Sequence, residues 1–186
     1  MKKLFVILAM MIPLVSIAQD KVAETPQSKS KTLEFLEKDG SFIQKEFYQL
    51  GKVKGVECEV LILTNLLTKQ KMGCLRLKTT YYNRVGSNDT YIGTLDSDEL
   101  SASIQSLQFI KDQLMPTSPS TYTEAEYKTR DGVKLGAYSS DKGWKSYVYT
   151  KGYTSRSAEF FDASHIDSLI GYLNQAKEMI TQKVGK

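Results

Sequence analysis

A chain of 186 residues with 41% hydrophobic and 10% aromatic content can bury a globular core, which excludes a disordered or collagen-like polymer. Its 25 basic and 21 acidic residues leave a formal charge of +4, too small an excess for a dedicated polyanion binder, so nucleic acid is disfavoured as a partner. One histidine and two cysteines give no clustered ligand set, and neither a metal nor a cofactor is signalled.

The first eighteen residues stand apart from the rest. Met1-Lys2-Lys3 supplies a positive start, residues 4–15 are an almost unbroken apolar run, and Ser16-Ile17-Ala18 puts small residues where a signal peptidase cuts. Residues 1–18 are therefore expected to be a cleaved secretory signal. The run is shorter than the ~20 residues needed to span a bilayer and contains Pro13, so no transmembrane anchor is expected after cleavage. Cleavage removes two lysines and no acid, which takes the formal charge from +4 to +2. The Lys-Lys start and the Ala-Gln-Asp junction resemble those of exported proteins of the Bacteroidetes. That resemblance implies a periplasmic or secreted location for a chain beginning at Gln19.

Residues 19–31, with Pro26 and little apolar content, read as a flexible tail. Next, 32–37 and 42–50 are expected to form the arms of a hairpin turning at Asp39-Gly40, in competition with a short helix bearing Leu33, Phe35 and Leu36. The β-branched and leucine-rich run 56–64 predicts a central strand covered on both faces; 71–80 is its hairpin partner, and 91–95 a short strand leading into a helix. Cys58 and Cys74 fall on these neighbouring strands. In an oxidising compartment they could form a disulfide; two buried reduced thiols is the other reading, and both stay open.

Residues 97–114 carry Leu100, Ile104, Leu107, Ile110 and Leu114 on one side of a 3.6-residue helix, and Asp96 followed by Glu99 forms a capping-box pattern. An offset of 66 residues lays this segment on 163–182: Asp96 falls on Asp162, Leu100 on Ile166, Ile104 on Ile170, Leu107 on Leu173 and Leu114 on Ile180. Between the two helices, 116–121 with Pro116 and Pro119 is a linker, and 122–129, 133–139, 145–150 and 153–161 are short strands parted by glycine-bearing turns. The expected fold is α+β: two β4α repeats, 32–115 and 122–186, with an antiparallel sheet and two long amphipathic helices packed on it. This element order is similar to that of the PC4/Whirly and PUR-type single-stranded nucleic-acid binders, in order alone and without a matching motif residue. It is also loosely similar to tandem secreted modules of the protease- and lactamase-inhibitor kind.

His165 lies beside Ser164 and Asp162 at a helix start, where neighbouring positions cannot align a nucleophile, a base and an orienting acid. The pairs Glu57/Glu59 and Glu124/Glu126 each share a strand face, but nothing near them predicts the desolvation that makes a general acid. No enzyme is expected. The second unit is instead dense in aromatic residues interleaved with bases, and if Val148 faces a helix then Lys145, Tyr147 and Tyr149 stand on the outer face of their strand. Trp144, Lys145, Tyr147, Tyr149 and Arg156 are thus the candidate contact residues of an exported, non-catalytic binding module whose partner is a protein or a glycan. The strand propensity of tyrosine and tryptophan competes with this explanation. The alternative is an inhibitor or accessory protein that docks an enzyme through hairpin loops such as 139–143. Oligomeric state is not readable from any of these patterns.

Overall fold

The computed structural model describes residues 29–83, 86–152 and 154–185. The expected secretory signal, residues 19–28 of the expected tail, and Tyr153 lie outside the described residues. A short helix α1 (Lys31–Leu36) precedes the meander β1 (Ile43–Val53), β2 (Val56–Asn65), β3 (Lys71–Tyr82) and β4 (Asn88–Asp96). Helix α2 (Leu100–Phe109) follows and ends in a π-helical turn, Ile110–Leu114. A second meander comprises β5 (Glu124–Lys128), β6 (Lys134–Ser140), β7 (Gly143–Tyr149) and β8 (Ala158–Asp162). A 3₁₀ turn, Ala163–His165, then leads into α3 (Ile166–Val184). The fold is α+β, with two four-stranded antiparallel sheets and helices packed on them.

The helices are exchanged between the sheets. Helix α3, which follows the second sheet, lies on β1, β2 and β3; α2, which follows the first, lies against β5 and β6, and the two helices touch. Their stripes therefore meet in one continuous core that joins Val60, Ile62, Leu75 and Leu77 to Ile104, Leu107, Leu135, Val148, Leu169 and Leu173. Neither sheet could bury its inner face with its own helix alone. Where the sheets meet, β4 carries Gly93, and a Cβ there would fall 2.1 Å from the carbonyl oxygen of Thr150, so only glycine allows the approach. Thr79 and Thr150 share a hydroxyl hydrogen bond of 2.7 Å across the same junction. Among the described residues no helix is long and apolar enough to cross a membrane.

The expected 32–37 hairpin arm is a helix instead, and residues 29–31 belong to its start rather than to a tail. The cause lies far along the chain. The buried carboxylate of Asp96 accepts hydrogen bonds from the backbone amides of Lys31 (2.8 Å) and Thr32 (3.0 Å) and from the hydroxyls of Ser30 (3.0 Å) and Thr32 (2.6 Å). The two amides are first-turn donors that a helix leaves unpaired. So anchored, α1 lays Phe35 and Leu36 over Leu61, Leu63 and Cys74 on the outer face of the first sheet. Asp96 also pairs with Arg130 at 3.0 Å, tying the β5–β6 turn to the first sheet. It therefore does not cap α2 with its side chain; only the reverse half of the expected capping box forms, Glu99 accepting the Asp96 amide at 2.9 Å. Asp162 likewise makes no cap bond and pairs with Lys145.

The two cysteines are free. β2 and β3 are neighbours as expected, but Cys58 lies opposite Leu77 and Cys74 opposite Leu61, a stagger of three residues. An odd stagger points the side chains to opposite faces: Cys58 enters the main core, and Cys74 lies under α1. Burial pushes both thiols up to about 12.

Two outcomes follow from this packing. Asp96→Ala, which leaves the buried donors at the first turn of α1 without an acceptor while Arg130 keeps Asp98 and Glu99, should cost about 3–5 kcal/mol in denaturant unfolding, whereas Asp98→Ala, at an exposed position, should cost about 1 kcal/mol or less. At pH 8 a maleimide probe should label neither thiol in the folded chain and both after denaturation, and a reductant should leave the melting temperature unchanged. Because the folded chain holds these thiol protons more tightly than the unfolded chain, their contribution to stability is complete below about pH 9 and drains away as pH climbs towards 12.

Candidate functional site

The register of the second sheet decides which side chains share its outer face. Tyr147 lies opposite Gly136 on β6 and Phe160 on β8, Tyr138 lies opposite Lys145, and Glu124 on β5 lies opposite Tyr138. Strand alternation puts Lys145, Tyr147 and Tyr149 outward and Ser146 and Val148 inward. The outward rings form a connected plate: Tyr122 to Tyr138, 6.2 Å; Tyr138 to Tyr147, 6.3 Å; Tyr147 to Tyr149, 5.5 Å; and Phe160 about 6 Å from Tyr138, Tyr147 and Tyr149. Several pairs meet edge to face, the arrangement ring quadrupoles favour.

Tyr147 is the hub of the plate and is buried by it, at 2% exposure, while Tyr122 (69%) and Phe160 (51%) stand open. It lies over Gly136, where a Cβ would sit 2.7 Å from the tyrosine oxygen, so β6 is bare at the point that the ring covers. Its hydroxyl is held between two carboxylates, donating to Glu124 at 2.5 Å and lying 3.0 Å from Glu126. Burial first, and then these two acids, raise its ionisation well above the ordinary tyrosine range, so it stays a neutral donor. Of the charges around the plate, Lys145 pairs with Asp162 and Lys134 with Glu126, while Glu124 is held by the Tyr122 and Tyr147 hydroxyls.

Of the five contact residues expected from sequence, Lys145, Tyr147 and Tyr149 are brought together on this face. Trp144 points the other way, into the core at 8% exposure, and donates its indole N–H to the Thr117 carbonyl at 2.9 Å. Arg156 lies in the Ser155–Ser157 turn, stacks over Tyr81 at 5.3 Å and reaches Asp89 at 3.6 Å, both on the first sheet. Sequence reasoning left out Tyr122, Tyr138 and Phe160 as contact residues. The signal for Tyr138 was the short turn at Asp141-Lys142, which pairs Ser140 with Gly143 and thereby puts Tyr138 across from Lys145.

At one end of the plate, segment 117–121 runs beside the β6–β7 turn and leaves a cleft of about 580 Å³ that Tyr122, Tyr138, Asp141 and Trp144 help to line. Elsewhere, the Glu57/Glu59 pair does share a face, but both acids are engaged. Glu57 is held below the usual carboxylate range by hydrogen bonds from Lys78 and Lys52, and Glu59 pairs with Arg76 at 2.8 Å. Ser164 Oγ lies 3.3 Å from His165 Nδ1, while Asp162 is bound by Lys145, so the three do not form a relay. Among the described residues no group of three or more His, Cys, Asp or Glu side chains is placed to hold a metal ion.

Tyr147 is thus a structural centre and its neighbours are the accessible part. Tyr147→Ala should cost about 3–5 kcal/mol by emptying the space over Gly136, and Tyr147→Phe about 1.5–3 kcal/mol by removing the donor shared by two carboxylates; Tyr149→Ala, half-buried, should cost less than Tyr147→Ala when all three are unfolded in urea. No protein-family model, curated protein or solved structure matches the chain, so what this face does must be read from its own side chains.

Proposed function

We propose that this chain is an exported, non-catalytic binding module whose contact surface is the outer face of the second sheet. The observation that carries the reading is the plate itself, with Tyr122 and Phe160 open around a buried, hydrogen-bonded Tyr147. Exposed rings in mutual contact are already ordered, so a partner covers apolar area without first fixing flexible side chains. Aromatic residues so held are the usual anchors of binding hot spots. Export rests on the sequence of residues 1–18. A binding rather than a catalytic role is supported by the engagement of the paired carboxylates with Lys, Arg or Tyr partners, because acid–base work wants a carboxyl poised near neutral pH.

A second reading, an inhibitor or accessory protein docking through a hairpin loop, draws on the exposure of Ser140, Asp141, Lys142 and Gly143 at the tip of the β6–β7 turn. The two part on one experiment. With the chain immobilised and challenged with periplasmic extract and a glycan array, Tyr149→Ala combined with Phe160→Ala should reduce retention at least tenfold while leaving the circular dichroism spectrum and cooperative melting intact. Exchange of 140–143 alone abolishing retention, with the double variant still binding, would favour the loop reading.

A further inference from the structure

The cleft at the end of the plate has a definite chemistry. Twelve residues line it and eight of them carry a hydroxyl, among them Ser118, Ser120, Tyr122 and Tyr138. That excludes a purely apolar ligand, which would strip water from these groups and give nothing back. Among the described residues no lysine, arginine or histidine lines it, so a phosphate, sulfate or acidic sugar would find no counter-charge there. Its volume, about 580 Å³, is in the range of small-ligand sites, roughly 300–1,000 Å³.

The walls are built before any ligand arrives. Segment 117–121 is fastened to the second sheet by the Trp144 indole on the Thr117 carbonyl at 2.9 Å, and by Thr123 and Ser139, which exchange Ser139 N–H to Thr123 O and Thr123 N–H to Ser139 Oγ, both 2.8 Å. The Ser140 hydroxyl is spent inside the turn, donating to the Gly143 carbonyl at 2.6 Å. With those groups committed, the hydroxyls of Ser118 and Ser120 and the carboxylate of Asp141 have no partner among the described residues. Beside them stands the open ring of Tyr122, 69% exposed and 6.2 Å from Tyr138.

We propose that this cleft binds a neutral oligosaccharide. A pyranose has an apolar C–H face and a rim of hydroxyls, and the cleft offers the complement of each. The Tyr122 ring, backed by Tyr138, takes the C–H face. Asp141, an acceptor only, takes two sugar O–H donors, and Ser118 and Ser120 both donate and accept. The proposal rests on the sheet-face reading, since Tyr122 and Tyr138 belong to both the plate and the cleft, and it narrows the partner to a glycan.

Trp144 is the single tryptophan of the chain and forms part of the cleft wall, so its emission reports occupancy directly. The whole chain is titrated with cellotetraose, maltotetraose and tetra-N-acetylchitotetraose, and in parallel with spermidine and inorganic phosphate. At least one tetrasaccharide should change the Trp144 emission saturably, and phosphate should not. Tyr122→Ala and Asp141→Asn, both at exposed positions that should not disturb folding, should each weaken that response at least tenfold, while Leu67→Ala, 68% exposed between β2 and β3 and outside both plate and cleft, should leave it within twofold. Silence from all three tetrasaccharides overturns the proposal, as does a response to spermidine alone or a saccharide response indifferent to Tyr122 and Asp141. Partner retention lost in the Tyr149/Phe160 double variant, together with saccharide silence, would sink the cleft and spare the sheet face. Saccharide binding with retention unaffected by that double variant would do the opposite.

Discussion

The constraint on which this structure depends is the exchange of its two long helices. Because α3 lies on the first sheet and α2 on the second, the apolar stripes of both are consumed inside one core, and among the described residues no helix covers the second sheet from outside. An antiparallel sheet can face water on one side, but its outer residues must then tolerate exposure. The two sheets meet that demand differently. The first uses α1, moored by Asp96, over Leu61, Leu63 and Cys74, and beyond it a field of paired charges in which Glu59 binds Arg76 and Arg76 stacks on Phe47 at 5.0 Å. The second uses rings packed on rings. The aromatic plate is therefore a consequence of where the helices go, and its availability to a partner follows from the same cause.

Asp96 shows how one side chain can hold distant segments in a single arrangement. Its carboxylate gathers donors from Ser30, Lys31 and Thr32 and the guanidinium of Arg130, which also meets Asp98. A buried carboxylate is tolerable only if such donors surround it, and each donor in turn has few other places to go. The β5–β6 turn is doubly fixed, since Asp131 next to Arg130 accepts the Thr94 amide at 2.8 Å and its hydroxyl at 3.0 Å. The second sheet is thus held at a set position against β4, and the cleft and plate inherit that rigidity.

Much of this fold was legible because its signals are local and periodic. The 3.6-residue stripes of α2 and α3 and the glycine turns of the second meander mark their own boundaries. What could not be read depends on partners far along the chain. Leu33, Phe35 and Leu36 suit an alternating strand nearly as well as a helical turn, and Asp96, more than sixty residues on, decides between them. The faces of Cys58 and Cys74 depend on the β2–β3 register, which the turn sets and composition does not. Trp144 is a different kind of miss. It precedes Val148 by four residues on one strand and so shares its inward face; grouping it with Tyr147 and Tyr149 by nearness in sequence ignored an alternation that was already in view.

The charge pattern bears on how such a surface would work. Lys145 is engaged by Asp162 and Lys134 by Glu126, which leaves the Glu124 carboxylate, held by the Tyr122 and Tyr147 hydroxyls, as a lone acid on the plate rather than part of a field of one sign. Long-range steering needs unbalanced charge over a Debye length of about 8–10 Å, and pairs this close cancel well inside that distance. Under the proposed binding role, recognition on this face would rest on short-range fit, meaning ring area removed from water and hydroxyls matched one by one. A flexible surface would lose much of that gain to ordering. Here the rings are already packed, Tyr147 is already hydrogen-bonded and segment 117–121 is already fastened by Trp144, so the contact energy is not spent on fixing the site.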